Sequence, residues 1–275
     1  MNVLHNNSSN NSNSNSKRDD SAFDGEQYLK EHDLDIYLGD AVKQMLWCKK
    51  LMGNGTGGKN VDPANFLHKY FSSVKKGEHI FLREFSYIKA TRWNRLTFLT
   101  KFRQTFQHLS SDCFSCKDFH SLLCLICPDF SKVITQRSVN TASCQVGEPS
   151  DVIQFADFSA CFHVEFYYME FSRKVASIFQ ELAIDQDTQG KPRLPSKSIF
   201  RRIKEVIYNN NENSIFAPPM PLIEEVCRSG VDLQYGNFIL SIGAKLEIFW
   251  EQIKKFFFYI VILKILIFIC TCFYL

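Results

Sequence analysis

Four cysteines fall in two C-x-x-C pairs, Cys113/Cys116 and Cys124/Cys127, the ligand type that a tetrahedral zinc site requires. The gap between the pairs is short for a ribbon-type site. Leu122, Leu123, Leu125 and Ile126 surround the second pair, which therefore reads as helix interior, where cysteine behaves as a small hydrophobe. Gly53 to Lys59 has the spacing of a phosphate loop, and Gly53, Gly55 and Gly58 have that of a dinucleotide-binding turn. Both chemistries need a strand before the glycines, and magnesium needs a Ser or Thr after the lysine. Here a helical pattern precedes and Asn60 follows, so the segment reads as an interhelical linker.

Two segments end as EF-hand loops end, Phe114 to Phe119 and Ile153 to Phe158. Their early positions are Gln107, Leu109 and Ser111 in one and Val146, Glu148 and Ser150 in the other, which lack the several hard oxygens that calcium needs. A metal-free, EF-hand-like helix pair is expected. The histidines are scattered, and none stands with a Ser or Cys and an acid in a recognisable nucleophile pattern. Glu165 and Glu170, inside the aromatic run Phe162 to Phe171, have the chemistry of an acid/base pair, but a helix face beside a core explains them equally well. No catalytic, cofactor-binding or metal-ligating residue is assigned, and no cofactor is expected.

The chain that must position these groups has 275 residues, 45% of them hydrophobic and 22% charged, an ordinary globular balance. A net charge of +3 is too mild to imply nucleic acid. Phenylalanine stands at 26 residues against three Trp and ten Tyr, which suits helix packing and apolar docking better than polar catalysis. The ten cysteines would suggest disulfides only in an oxidising compartment, and the N-terminus has neither a basic start nor an apolar signal core. Mostly free thiols are expected.

Residues 1–22 are Asn/Ser-rich and too polar to bury anything, and read as a disordered tail. From Tyr28 to Trp47 apolar residues recur at three- and four-residue steps, the mark of an amphipathic helix. Asp62 and Pro63 form an N-cap and first helical position, predicting a second helix to about Val74 with Phe66, Leu67, Tyr70 and Phe71 inward. Further helices are predicted over about 82–88, 92–109, 116–126, 155–182, 197–208 and 221–227, with little strand-like alternation. The last stretch, Phe256 to Leu275, is almost wholly apolar and long enough to span a bilayer, with Lys264 as its internal charge and Lys254 and Lys255 before it. It reads either as a tail anchor or as a gene-model artefact or variant end.

Two resemblances carry the functional expectation. Tyr28-Leu29, Leu34, Tyr37, Leu38, Ala41, Val42, Met45 and Leu46, followed by Asp62-Pro63, Phe66-Leu67 and Tyr70-Phe71, resemble the RIIa/Dpy-30 dimerization-docking module. There, two helical hairpins form an antiparallel four-helix bundle whose groove accepts a partner's amphipathic helix. The resemblance implies a homodimer, with Leu34, Leu38, Val42, Met45, Phe66, Leu67 and Tyr70 as dimerization and docking residues. The loop Cys48 to Asn60 is longer and richer in glycine than the module's.

The second resemblance runs from about Tyr28 to Ile242. His79-Ile80-Phe81-Leu82-Arg83-Glu84-Phe85-Ser86-Tyr87, Ala90-Thr91, Asn94-Arg95, Cys127-Pro128-Asp129-Phe130, Glu165-Phe166-Tyr167-Tyr168-Met169-Glu170-Phe171, Pro218-Pro219-Met220-Pro221 and Tyr235-Gly236 are similar to the centriolar satellite-associated tubulin polyglutamylase complex regulator family. This implies a non-catalytic protein that helps assemble and stabilise a glutamate-ligase complex, at centriolar satellites, centrosomes and cilia. The family's later polar portion is missing, the match ends close to Gly243, and no ATP-binding ligase motif is present. The implied partners are subunits of that complex, an amphipathic helix and a second copy of the chain, with membrane association through Phe256 to Leu275 if that run is an anchor. A docking scaffold for another ciliary or kinase-anchoring complex and a tail-anchored membrane adaptor are the alternatives. The expected architecture is all-α: a docking hairpin over 23–76 and a helical, degenerate EF-hand-like body over 77–242.

Overall fold

The computed structural model describes residues 25–53, 61–143, 152–184, 196–208, 215–228 and 233–248. The glycine-rich segment 54–60, the early positions Val146, Glu148 and Ser150 and the apolar run 256–275 lie outside the described residues. The fold is all-α apart from one two-stranded ribbon. No helix among the described residues is long and apolar enough to cross a membrane. The chain divides into two compact units between Val61 and Asp62.

The first unit holds α1 (Gly25–Glu31) and α2 (Leu34–Gly53). The pattern from Tyr28 to Trp47 predicts one continuous helix, but the chain breaks at Asp33, which adopts φ 56. Asp tolerates the left-handed region better than most side chains do. The break restarts the helix at Leu34, with Tyr37 and Ala41 buried.

The second unit opens with α3 (Pro63–Lys76), started and stopped as the sequence predicts. The Asp62 carboxylate accepts from the Ala64 N–H at 3.1 Å, and Pro63 sits in the first turn. Gly77 adopts φ 69 and donates its N–H to the Val74 carbonyl at 3.1 Å, while Glu78 donates to Ser73 at 3.0 Å. These bonds close the helix through a left-handed cap that favours glycine.

Next come α4 (Phe85–Ala90) and α5 (Arg92–Phe106). The predicted helix at 82–88 starts three residues late because Leu82 is held at φ 55, its N–H donating to the Ile126 carbonyl at 2.8 Å. A distant side chain then serves the start of the helix: Asp129 Oδ1 accepts from the Phe85 N–H at 2.8 Å.

A helix–strand–helix unit follows twice. In the first, α5 leads through a short 3-10 turn to β1 (Cys113–Ser115) and α6 (Cys116–Cys124); in the second, α7 (Lys132–Ser143) leads to β2 (Val152–Gln154) and α8 (Phe155–Phe162). The strands pair antiparallel with Phe114 opposite Ile153, the two residues that the sequence pattern places at equivalent loop positions. The Asp112 carbonyl accepts from the Phe155 N–H at 2.9 Å, tying the two loops again. Sequence periodicity does not reveal α7, whose β-branched and small polar residues are weak helix formers. Burial of Ile134, Val139 and Ala142 selects it. The Thr135, Ser138 and Ser143 hydroxyls donate to the carbonyls four residues back, so helix formation leaves none of the three without an acceptor.

The single helix predicted over 155–182 is divided. After α8 comes a π-helical turn over His163–Tyr167, then α9 (Met169–Ile184). Widening by one residue lets Phe162 and Phe166 remain stacked, 5.3 Å apart and 2° from parallel, while Glu165 points to Arg137. The ladder continues downward through Phe158 to Phe119, with ring centroids 5.4 and 3.9 Å apart. Phe98, Phe102, Phe130 and Phe155 pack around it and complete the core that the phenylalanine content foreshadows.

The last described elements are α10 (Ser196–Tyr208), α11 (Met220–Cys227) and α12 over residues 235–248. The sequence pattern misses α12, which contains Gly236 and Gly243. At Gly243 the reason is steric, because a Cβ there would stand 2.2 Å from the Ala160 carbonyl oxygen. The missing side chain lets α12 lie directly on the backbone of α8.

Candidate docking surface

On α2, Leu38, Val42 and Leu46 follow at four-residue steps and are 40%, 45% and 57% exposed, while Tyr37 and Ala41 are buried. Trp47 and Leu51, 61% and 62% exposed, add a second exposed apolar pair roughly 100–140° round the helix from Leu46. Isolated exposed apolar residues are ordinary, but a contiguous strip along several turns marks an interaction surface. Leu34 and Met45 are half-buried beside it. Of the residues predicted on the second helix, Phe66 and Leu67 are half-buried, and Tyr70 is buried with its hydroxyl 3.1 Å from that of Tyr87. Tyr70 therefore also fastens α3 to α4. Leu46, Trp47 and Leu51 are absent from the sequence-derived set; one further four-residue step past Val42 finds Leu46 but neither of the other two.

The body keeps its candidate catalytic acids occupied. Glu165, 1% exposed, pairs with Arg137 of α7. It also accepts from the Tyr235 hydroxyl at 2.6 Å, Ser172 Oγ at 3.0 Å and Thr141 Oγ1 at 3.4 Å, drawing α7, α9 and α12 onto the π turn. Burial, followed by the neighbouring Glu165 charge, pushes the Tyr235 phenol well above its ordinary value. Glu170 accepts both bonds from Arg95 Nη1, at 3.0 and 3.1 Å. Each carboxylate thus has its own arginine, the arrangement of structural ion pairs.

Other residues shared in the resemblance also make long-range polar links. Asn94 donates to the Tyr87 carbonyl at 2.8 Å, which leaves its Oδ1 to accept from His79 Nε2, also at 2.8 Å. Arg92 stacks on Phe216, 4.3 Å from the ring centroid, beside Tyr167 and Tyr168.

Cys116 opens α6 and Cys124 closes it, so the two C-x-x-C pairs sit about 12 Å apart along the helix axis at 1.5 Å rise per residue. Among the described residues no group of three or more His, Cys, Asp or Glu could hold a metal ion. Among the described residues no disulfide forms, and burial pushes the Cys127 and Cys227 thiols up to about 12 and about 11. In the first EF-hand-like loop, Asp118 is the N3 residue of a capping box, accepting from the Ser115 hydroxyl at 2.6 Å and N–H at 3.1 Å. The Ser115 hydroxyl, then its N–H, holds the Asp118 carboxyl below its usual range.

His163 is 1% exposed, with Nδ1 3.2 Å from Arg103 Nη2, and Arg103 also donates to Ser159 and Glu247. Burial, then the Arg103 charge, lowers the His163 pKa well below the ordinary value. The unfolded chain therefore takes up a proton below about pH 6.5 that the folded one refuses. Its contribution to stability is full above that pH and falls as the pH drops, by at most about 1.4 kcal/mol per pH unit. Urea midpoints at pH 7.5, 6.5 and 5.5 should fall in that order, with a shallower fall in His163→Gln. An equal fall in the variant would assign the acid sensitivity to other groups.

The fold and surface thus define an all-α protein with an exposed apolar helix face on α2 and with the acids of its aromatic run, Glu165 and Glu170, committed to ion pairs. A family model described as the CSTPP1 N-terminal domain matches residues 22–77. Over 239 residues the chain is 36% identical to the Rattus norvegicus protein named centriolar satellite-associated tubulin polyglutamylase complex regulator 1, covering 79% of this chain and 70% of the relative. The Homo sapiens protein of the same name is 35% identical over 241 residues, with the same coverage. That of Bos taurus is 29% identical over 241 residues, covering 79% of this chain and 71% of the relative. The chain belongs to the centriolar satellite-associated tubulin polyglutamylase complex regulator family. No solved structure matches it.

Proposed function

We propose that this protein is a non-catalytic regulator of a tubulin polyglutamylase complex, acting as an adaptor in its assembly and so on microtubule glutamylation at centriolar satellites, centrosomes and cilia. Similarity to relatives of that name over 79% of the chain supports the regulatory role. The exposed strip on α2 is the observation that supports docking. In this reading α2 and α3 form a RIIa/Dpy-30-like hairpin that pairs with a second copy, and the resulting groove takes an amphipathic helix from a complex subunit. The paired helix–strand–helix units support a degenerate EF-hand-like body that serves as scaffold.

Burying aliphatic side chains such as Leu38 and Val42 contributes roughly 1.5–3 kcal/mol each. Leu38→Asp in the full chain should therefore convert a dimer to a monomer in size-exclusion chromatography with light scattering, with helix content unchanged. Pull-down from cells with mass spectrometry should recover polyglutamylase subunits with the wild type and not with this variant. A wild-type chain that is monomeric at high concentration would sink the dimer. Subunits of another ciliary or kinase-anchoring complex in place of the polyglutamylase would sink the assignment.

A further inference from the structure

The end of α3, the end of α4 and the start of α5 gather cations around one exposed tryptophan. Trp93, 46% exposed, donates its indole N–H to the Val74 carbonyl at 3.4 Å, which joins the last turn of α3 to the first turn of α5. Lys75 and Lys76 follow Val74 and are exposed. The Lys101 side chain lies over the α3 cap, its Cε 3.5 Å from where a Cβ of Gly77 would stand. Lys89, in the last turn of α4, lies three residues before the exposed Arg92 that opens α5. Among the described residues none of these five cations has a carboxylate within ion-pair distance. Neither α4 nor α5 has an acid in its first turn, and Glu78 is the exposed acid adjoining the corner.

We propose that this corner binds a glutamate-rich peptide. Five unneutralised charges over three helix termini raise the local concentration of a polyanion. The half-exposed indole, its N–H already engaged, offers only apolar contact. An extended acidic peptide satisfies both features, laying side-chain methylenes on Trp93 while its carboxylates reach the lysines and Arg92. Glutamate has one more methylene than aspartate for that contact. The cations stand at helix ends rather than in a row along one helix, which favours a short peptide over a nucleic-acid backbone. The choice of glutamate as the acid rests on the reading of the chain as a regulator of polyglutamylation; the patch itself does not.

The test is fluorescence anisotropy of a dye-labelled oligoglutamate peptide with the full chain, beside oligoaspartate, a single-stranded RNA oligonucleotide and phosphatidylserine vesicles. Saturable binding is expected, tighter for oligoglutamate than for the other three and weakened by salt. Lys75→Glu/Lys76→Glu should lose roughly tenfold in affinity. Lys75→Gln/Lys76→Gln, which leaves no acid at the end of α3, should lose less. A folded charge-reversed variant that binds as tightly as the wild type would overturn the proposal, as would preference for RNA, vesicles or oligoaspartate. If the reversed variant misfolds, unchanged binding by the Gln variant would overturn it. Recovery of polyglutamylase subunits is followed in parallel. Peptide binding without those subunits leaves the patch standing and removes the regulator reading; subunits without peptide binding remove the patch alone.

Discussion

Glu165→Ala should cost the body about 3–5 kcal/mol, because it strands the Arg137 guanidinium and leaves Tyr235 only its longer bond to the Ser172 carbonyl. The lower figure is expected, since Arg137 is 29% exposed and can turn partly to water. For a unit of this size about 3 kcal/mol lowers the melting temperature by roughly 6–12 °C. Glu165→Gln, which keeps an acceptor for Tyr235 but not the charge, should fall between. Combining Glu165→Ala with Arg137→Ala should cost less than the two separate losses added together, because no lone charge is left behind. Calorimetry of the four proteins checks this. Strict additivity would show that the pair does not act as a unit.

Phe162→Ala should be comparably severe, at about 3–5 kcal/mol. The ring is fully buried and meets four others, Phe102 and Phe130 at 5.7 Å, Phe158 at 5.4 Å and Phe166 at 5.3 Å. Its removal leaves a cavity that a stack of rigid rings cannot close by rotating side chains. Phe162→Leu should recover part of the loss by refilling volume. Val133→Ala, on an exposed helix face, should stay within about 0.5 kcal/mol of wild type. Urea titration of the three variants gives the comparison. A Phe162→Ala loss as small as that of Val133→Ala would mean the ladder contributes little.

These two sites show what the sequence could and could not reveal. Periodicity and caps announced α2, α3, α5 and α10, and the composition announced a phenylalanine core. The EF-hand-like endings contain Phe114 and Ile153, which the ribbon sets opposite each other, but no pattern in the sequence named that pairing. The π turn was not legible, because the sequence keeps a helical rhythm through it and only the demand to stack Phe166 while turning Glu165 inward divides the helix. Partners of the acids were equally hidden. Arg137 lies 28 residues before Glu165 and Tyr235 lies 70 after it, and no local pattern links them. For the docking strip, the step rule identified Leu38 and Val42. It could not tell which apolar residues of α2 would remain uncovered, a property set by tertiary burial.

The separation of aromatic types has a spectroscopic consequence. Phenylalanine fills the interior, whereas the two described tryptophans, Trp47 on α2 and Trp93 in the cationic corner, stand at the surface. Their indole emission will respond to whatever approaches those faces more than to the loss of the phenylalanine core. With Trp250 replaced as well, selective replacement of one or the other would leave a single reporter, distinguishing self-association at α2 from capture of an acidic chain beside α5.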